Sequence, residues 1–150
     1  MIRKIESFSE KDTFDTAMSL AESSQKGDIY ALTGDLGAGK TAFAKGFAAG
    51  LGIKEPVVSP TFTILQIYES GRLPLYHFDV YRIGDVSEMD EIGYEDCFWG
   101  EGVSLVEWAD IVSGIFPEET IKVSIEKDLQ KGADYRMITI ESHKDEDNSH

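Results

Sequence analysis

The chain has 150 residues, of which 41% are hydrophobic and 28% are charged, and its formal net charge is −14 at pH 7. This length predicts a single domain, and the acidic balance argues against unaided binding to nucleic acid, which normally requires a basic surface. No apolar run approaches the roughly 18 residues that span a membrane, and residues 1–6 lack the apolar core of a signal peptide. The single cysteine, Cys97, cannot form an internal disulfide, so we expect a cytoplasmic protein in which Cys97 has a packing role.

The first part of the chain predicts an edge strand followed by a helix. Residues 3–8 favour the strand. Ser9 and Asp12 together resemble a helix-capping box. The apolar side chains that follow at helical spacing are Phe14, Ala17, Met18 and Ala21. Gly27 is expected to end this helix.

A glycine-rich segment after the next predicted strand gives the strongest functional signal in the sequence. Residues 28–33 form a short apolar run typical of a buried strand. Residues 34–41, GDLGAGKT, match the phosphate-binding pattern G-x-x-x-x-G-K-[ST] at every specified position. Apolar residues then recur at helical spacing up to Leu51, with Gly50 and Gly52 as stop signals. Strand, glycine loop and helix in this order are the context that the motif requires.

The residue types of this loop predict a site for a nucleoside triphosphate with Mg²⁺. Glycines allow backbone N–H groups to approach phosphate oxygens closely, and the positive end of the following helix favours an anion. The loop residues expected to bind the nucleotide are Asp35, Leu36, Gly37, Ala38, Gly39, Lys40 and Thr41. Lys40 should reach the β- and γ-phosphates, and the hydroxyl of Thr41 should hold Mg²⁺. The alternative is a glycine-rich turn that carries an exposed lysine.

The middle of the chain predicts an antiparallel hairpin and two short helices. Residues 61–68 and 75–81 favour strands, and residues 69–72 are typical of the turn between them. A hairpin of this kind implies a mixed sheet rather than a purely parallel one. Residues 85–99 predict two short helices that are interrupted at Gly93.

The last part of the chain completes the predicted sheet. Further strands are expected at residues 103–106, 120–125 and 135–141. The fold class predicted from this order is α/β, a P-loop NTPase-like three-layer fold with a mixed parallel and antiparallel sheet. One ATPase domain is expected over residues 1–142, followed by a disordered acidic tail at 143–150.

Two acidic residues follow predicted strands at the edge of the sheet where ligands gather. Asp79 comes after residues 75–78, and Glu107 comes after residues 103–106. Either carboxylate could contact Mg²⁺, directly or through water, while the other orients the attacking water. The division of these roles is open, and the alternative for each residue is an exposed acid at a strand end.

Three residues near these acids are further candidates. Thr61 follows the first loop after the phosphate-binding helix, where many nucleotide hydrolases carry a hydroxyl that senses the γ-phosphate and Mg²⁺. Trp108 could stack on the base or fill the core. His77 shares a strand face with Asp79. Because no second histidine or cysteine stands at ligand spacing, we interpret His77 as a hydrogen-bonded histidine near the site rather than a zinc ligand.

Four separated motifs occur in the order seen in the TsaE family. They are residues 34–41, Ser59-Pro60-Thr61-Phe62, His77-Phe78-Asp79-Val80-Tyr81-Arg82 and Val106-Glu107-Trp108. Across roughly residues 1–140, the sequence resembles this bacterial family of small ATPases, which are needed to make threonylcarbamoyladenosine beside the anticodon of tRNA. The resemblance implies ATP and Mg²⁺ as cofactors. It also implies TsaD and TsaB as protein partners, in a complex that ATP hydrolysis resets between turnovers.

The resemblance also implies roles for individual residues. Lys40, Asp79 and Glu107 would be catalytic, and Thr41 would hold the metal together with the two acids. Thr61 would be a switch-like hydroxyl, and Trp108 would lie close to the nucleotide. Ala42 stands where family members often have a second threonine, so one phosphate contact would come from the backbone alone.

The resulting hypothesis is a partner-activated, Mg²⁺-dependent ATPase that does not bind tRNA tightly by itself and does not associate with a membrane. A small P-loop kinase is one alternative, although such enzymes usually need several arginines to clamp their substrates. The arginines of this chain are Arg3, Arg72, Arg82 and Arg136. A non-catalytic scaffold whose shape is controlled by ATP is the other alternative.

Overall fold

The computed structural model describes residues 1–35, 37–60 and 63–142, and these form a seven-stranded sheet with helices on both faces. The strands are β1 (Ile2–Ser7), β2 (Ile29–Thr33), β3 (Leu65–Tyr68), β4 (Leu75–Asp79), β5 (Val103–Glu107), β6 (Ile121–Lys127) and β7 (Arg136–Glu141). The helices are α1 (Glu10–Glu22), α2 (Lys40–Gly50), α3 (Ser87–Glu91) and α4 (Tyr94–Phe98), with 3₁₀ segments at Ala109–Ile115 and Leu129–Lys131. No described helix is long and apolar enough to cross a membrane.

The sheet is mixed, as the sequence predicts. Its strand order is β1-β7-β6-β2-β5-β4-β3. The four central strands β6, β2, β5 and β4 run parallel, whereas β1–β7, β6–β7 and β3–β4 are antiparallel pairs. The predicted hairpin is therefore present as β3–β4, and the predicted edge strand at the start of the chain is present as β1. Parallel central strands place the carboxyl ends of β2, β4, β5 and β6 at one edge of the sheet.

Helices α1 and α2 cover one face of the sheet, and α3, α4 and the Ala109–Ile115 segment cover part of the other. The core under α1 and α2 includes Leu20, Tyr30, Leu32, Phe43, Phe47, Leu105, Val123 and Ile138. The core on the opposite face includes Ile29, Phe78, Met89, Cys97, Phe98, Val106 and Val112. This arrangement confirms the predicted three-layer α/β fold. Cys97 is buried among apolar residues of the second core, which confirms its packing role.

The contact between α1 and α2 is unusually close because two glycines of α2 face the backbone of α1. A Cβ atom added to Gly46 would lie 2.1 Å from the carbonyl oxygen of Phe14, and one added to Gly50 would lie 2.3 Å from that of Met18. Only glycine allows this approach. The packing holds the amino-terminal end of α1 beside the amino-terminal end of α2, where the phosphate loop ends.

Both ends of α1 differ from the prediction in detail. The N–H of Asp12 donates to the Ser9 hydroxyl at 3.1 Å, but the Asp12 carboxylate accepts from the N–H of Phe8 at 2.9 Å rather than from Ser9. The helix ends at Glu22 rather than near Gly27. Gly27 instead adopts a φ of 88° in the turn before β2, where its N–H donates to the carbonyl of Gly102 at 2.9 Å.

The hairpin strands are shorter than predicted. Residues 61 and 62 of the first predicted strand lie outside the described residues. Strand β3 begins at Leu65 because Ile64 has a φ of 69° and its N–H donates to the carbonyl of Pro60 instead of joining the sheet. Strand β4 ends at Asp79 because residues 80–83 form a turn closed by a 3.0 Å bond from the N–H of Ile83 to the carbonyl of Val80. The predicted pair of helices in residues 85–99 is confirmed, and Gly93, with a φ of 73°, separates them. The proposed tail at 143–150 lies outside the described residues, so the domain boundary at 142 stays a prediction.

Candidate nucleotide-binding site

A cleft of about 800 Å³ opens at the carboxyl edge of the central strands. The phosphate loop and the first turn of α2 form its floor, and the start of α1 forms one wall. The predicted site residues that line it are Gly37, Gly39, Lys40, Thr41, Asp79 and Glu107. The α1 residues that line it are Glu10, Lys11, Thr13 and Phe14, together with the capping residue Ser9. The cleft therefore brings the loop and both acids together, as the sequence predicts.

The loop requires glycine where its backbone turns. Gly39, which precedes the first residue of α2, has a φ of 106°, a region that residues with side chains rarely adopt. Gly34 has a φ of 155°, and a Cβ atom there would lie 2.8 Å from the carbonyl oxygen of Ile125. The loop is thus pressed against the end of β6. The amino-terminal end of α2, at Lys40 and Thr41, lines the cleft, and the amino terminus of a helix favours anions.

Lys40 is a buried cation at the start of α2, with only 6% of its surface exposed. Its ammonium group donates to the carbonyl oxygen of Gly34 and lies 3.3 Å from the centroid of the Trp108 ring, as in a cation–π contact. Burial lowers the pKa of Lys40, while the nearby carboxylates of Glu107 and Asp79 act in the opposite direction. A desolvated lysine close to two acids, at the mouth of a glycine loop, is well suited to exchange these contacts for phosphate oxygens.

Asp79 and Glu107 are direct neighbours on two parallel strands. They are paired in the register of β4 and β5, and they are 5% and 6% exposed. The N–H of Tyr81 donates to the Asp79 carboxylate at 3.0 Å. The alignment follows from the strand ends, because both strands stop at the same level of the sheet.

His77 lies two residues before Asp79 in β4, on the same face of the strand, and contacts Glu107. The Nε2 atom of His77 is 2.5 Å from Oε2 of Glu107, and both side chains are almost fully buried. This contact confirms the interpretation of His77 as a hydrogen-bonded histidine near the site. Its other nitrogen, Nδ1, has no hydrogen-bond partner among the described residues. The bond fixes one oxygen of the Glu107 carboxylate.

Trp108 has a strained backbone and a half-buried ring. Its φ of 61° lies in the left-handed region, which is uncommon for a residue with a bulky side chain. The ring contacts Lys40 on the loop, and its centroid is 4.6 Å from that of Tyr81. It also packs against the second core. The structure thus places Trp108 beside Lys40, whereas the contact of Trp108 with the nucleotide stays a prediction.

The remaining predicted residues divide into two groups. The N–H of Ala38 donates to the carbonyl of Asp35 at 3.0 Å, and the contacts of both residues with a nucleotide stay predictions. Leu36 and Thr61 lie outside the described residues, and their predicted roles stay predictions. Ser59 lines the cleft two positions before Thr61.

The donor set fits a magnesium nucleotide. Thr41, Asp79 and Glu107 offer the hard oxygen ligands that Mg²⁺ prefers, and the loop and Lys40 suit phosphate. Among the described residues, no group of three or more His, Cys, Asp or Glu side chains could hold a metal ion alone. A magnesium site that is completed by phosphate oxygens and water needs no such group.

Two parts of the site were not found by sequence reasoning. The first is the wall formed by α1, whose sequence shows only an ordinary amphipathic helix. The second is Arg136 at the start of β7, which donates to the carbonyl oxygens of Ala38 at 2.8 Å and Gly37 at 3.1 Å. No local signal marks Arg136, because an isolated arginine on a predicted strand is usually a surface residue.

The strand–loop–helix unit, the mixed sheet and the acids at the strand ends define a P-loop type α/β protein. The family model for the threonylcarbamoyl adenosine biosynthesis protein TsaE matches residues 7–137. The chain therefore belongs to the TsaE family.

Individual relatives agree with this assignment. The chain is 48% identical over 129 residues to the tRNA threonylcarbamoyladenosine biosynthesis protein TsaE of Bacillus subtilis, covering 86% of this chain and 78% of that protein. The protein of the same name from Treponema pallidum is 46% identical over 101 residues, covering 67% and 74%. The crystal structure of Bacillus subtilis YdiB superposes with a TM-score of 0.82 at 40% identity, covering 96% of this chain and 87% of that one.

Proposed function

We propose that this protein binds ATP with Mg²⁺ in the cleft and hydrolyses the ATP as a component of the machinery that makes threonylcarbamoyladenosine in tRNA. Membership of the TsaE family supports the pathway. The observation that carries the chemistry is the meeting of buried Lys40 with the paired carboxylates Asp79 and Glu107 at the phosphate loop. Burying charged groups costs free energy unless they are paired, and groups with perturbed pKa values cluster at functional sites.

In this proposal the loop and Lys40 bind the phosphates. Lys40 exchanges its contact with the Gly34 carbonyl for charge-assisted hydrogen bonds to phosphate oxygens. The N–H groups at the start of α2 add to this anion site. The wall of α1, from Ser9 to Phe14, limits the space beside the loop that remains for the nucleoside.

The acids and Thr41 would hold the ion and the attacking water. Asp79 and Thr41 would supply oxygen ligands to Mg²⁺, whose charge would offset the charge that develops on the phosphate oxygens. Glu107 would orient the water. We assign the water to Glu107 because its bond to His77 fixes the carboxylate in one position, and a fixed acceptor loses less entropy when it positions a reactant.

The proposed partners are TsaD and TsaB, and hydrolysis is expected to depend on them. The charge of −14 opposes direct contact with tRNA, so the protein would act on the RNA through these partners in the cytoplasm. ATP can promote association only if it binds more tightly to the partner-competent shape. By linkage, the partners must then tighten ATP binding by the same factor.

The kinase alternative is weakened by the arginines. Arg72 donates to the carbonyl oxygens of Ala21 and Ser24, and Arg136 donates to those of Gly37 and Ala38. Two of the four arginines therefore bind backbone rather than a second phosphate-bearing substrate.

Calorimetry and phosphate release together test the proposal. Lys40→Ala should nearly abolish ATP binding, whereas Lys26→Ala, which removes an exposed lysine paired with Glu101, should not change the affinity. Asp79→Asn and Glu107→Gln should each depress phosphate release in the presence of TsaD and TsaB. Wild-type affinity in Lys40→Ala would refute the binding site. ATP binding with no release, even with both partners, would favour the scaffold alternative, and tight binding of free tRNA at physiological salt would contradict the charge argument.

A further inference from the structure

Arg136 connects the last strand of the sheet to the phosphate loop. Its Nε donates to the carbonyl of Ala38 at 2.8 Å, and its Nη2 donates to the carbonyl of Gly37 at 3.1 Å. Its Nη1 donates to the carbonyls of Ala133 at 2.9 Å and Tyr135 at 2.7 Å. The guanidinium group thus joins two consecutive loop peptides to the chain that enters β7. These contacts also hold the arginine itself in one orientation.

Because the peptide bond is planar, the contact of Arg136 with the Ala38 carbonyl also fixes the direction of the next N–H group. In a trans peptide the C=O of one residue and the N–H of the next point in opposite directions. When Arg136 holds the Ala38 carbonyl, the N–H of Gly39 is turned to the opposite side of the loop. Because Gly39 lies in the left-handed region and precedes α2, its peptide is one that could otherwise rotate easily.

The positive charge of Arg136 also favours the loop orientation in which the carbonyl oxygens of Gly37 and Ala38 face the guanidinium group. Loop carbonyl oxygens carry partial negative charge and would repel phosphate if they turned towards it. A guanidinium bound to two of them offsets this charge and keeps both oxygens engaged. Lys127, the cross-strand neighbour of Arg136, adds a second positive charge beside Gly37, where a Cβ atom would lie 3.2 Å from the lysine Nζ.

We propose that Arg136 is a positioning residue that holds the phosphate loop in its nucleotide-binding shape before the nucleotide arrives. The inference rests on the proposed ATP site, and it adds that the loop is pre-organised by the last strand. Arg136 acts on all phosphate groups that the loop amides hold, so it should affect ADP and ATP equally. If Arg136 instead contacted the γ-phosphate directly, its replacement would weaken ATP binding far more than ADP binding.

Arg72 provides a matched control. Like Arg136, it binds several backbone carbonyls, those of Ala21, Glu22 and Ser24, but at the far end of α1. Arg72→Gln should therefore report the cost of losing an arginine–carbonyl contact without changing the loop. Arg136→Gln removes both the charge and the planar guanidinium group that donates several hydrogen bonds. Arg136→Lys keeps the charge but lacks that group.

The experiment combines hydrogen exchange without nucleotide and calorimetry with ADP and ATP in Mg²⁺. Arg136→Gln should accelerate exchange of the amides at residues 37–40 and raise both dissociation constants by about tenfold. Arg136→Lys should raise them by a smaller common factor, and it serves alone if the glutamine variant does not fold. Arg72→Gln should leave the loop exchange and both affinities unchanged.

The outcomes separate this inference from the proposed function. If the wild type does not bind ATP, the proposed function fails, while the exchange of the loop amides still tests Arg136. If the wild type binds and both Arg136 variants keep its loop exchange and affinities, the positioning role is refuted. A loss that is confined to ATP would also refute it, because it would assign Arg136 to the γ-phosphate.

Discussion

Replacing His77 with leucine should destabilise the nucleotide-free protein by about 2–3 kcal/mol, because a hydrogen bond to a buried charged group contributes about this amount. His77 is 1% exposed and Glu107 is 6% exposed, so their 2.5 Å contact is largely shielded from bulk water. Leucine fills a similar volume, so packing is largely kept and the loss comes from the missing hydrogen bond between His77 and Glu107. In a chain of this size, each kcal/mol lowers Tm by about 2–4 °C, which gives a decrease of about 4–12 °C.

Thermal and urea unfolding of three variants measures this contribution. Ser104→Ala is the control for buried polar atoms, because Ser104 is 1% exposed on the adjacent strand β5 and its hydroxyl has no hydrogen-bond partner among the described residues. That change should alter stability by less than about 0.5 kcal/mol, since no hydrogen bond is lost. His77→Gln, whose amide nitrogen can replace Nε2, should recover part of the loss.

The contact between His77 and Glu107 should also affect catalysis. If Glu107 orients the attacking water, His77→Leu should lower kcat for ATP hydrolysis with TsaD and TsaB more than it changes KM, and His77→Gln should restore part of kcat. A leucine variant as stable as the wild type, or one with undiminished kcat, would show that Glu107 does not depend on His77.

Three further predictions concern packing and fluorescence. In urea unfolding, Gly46→Ala should lower stability by about 1–3 kcal/mol or more through overpacking. Gly114→Ala, at a position with no described neighbour within 4 Å, should be neutral or slightly stabilising. Equal effects of the two changes would contradict the close contact between α1 and α2. Cys97 is buried and burial raises the pKa of its thiol, so at pH 8 it should react with a thiol reagent far more slowly in the native than in the unfolded protein. In a Trp99→Phe background, ATP with Mg²⁺ should change the emission of Trp108, because its ring lies against the phosphate-loop lysine, and an unchanged spectrum would argue against this coupling.

The sequence predicts the position of those site residues that lie in one contiguous motif or directly at the ends of parallel strands. The phosphate loop is contiguous, so its glycines and Lys40 are recognisable without knowledge of the sheet. Asp79 and Glu107 follow separate strands, and their meeting follows from the rule that parallel strands end at one edge. Their direct pairing requires in addition that β4 and β5 be neighbours and end at the same level of the sheet.

The parts that the sequence does not predict depend on register and on distant packing. Alternation places His77 on the face of Asp79, but its bond to Glu107 depends on the relative depth of two strands. Arg136 reaches the loop only because β7 lies between β1 and β6, an order that no single segment encodes. The end of α1 at Glu22 also shows that a glycine can mark the next turn rather than the helix end.

The position of β7 in the sheet has a consequence for folding during synthesis. Among the described elements, strand β1 is synthesised before all the others, yet its neighbour in the sheet is β7, which is synthesised after them. The loop contact of Arg136 likewise joins residues 99 positions apart. Such long-range contacts form only when the intervening chain is present. In a nascent chain that ends before residue 136, β1 therefore lacks its partner strand and the phosphate loop lacks its contacts with Arg136. We expect full nucleotide affinity to appear only after β7 has left the ribosome.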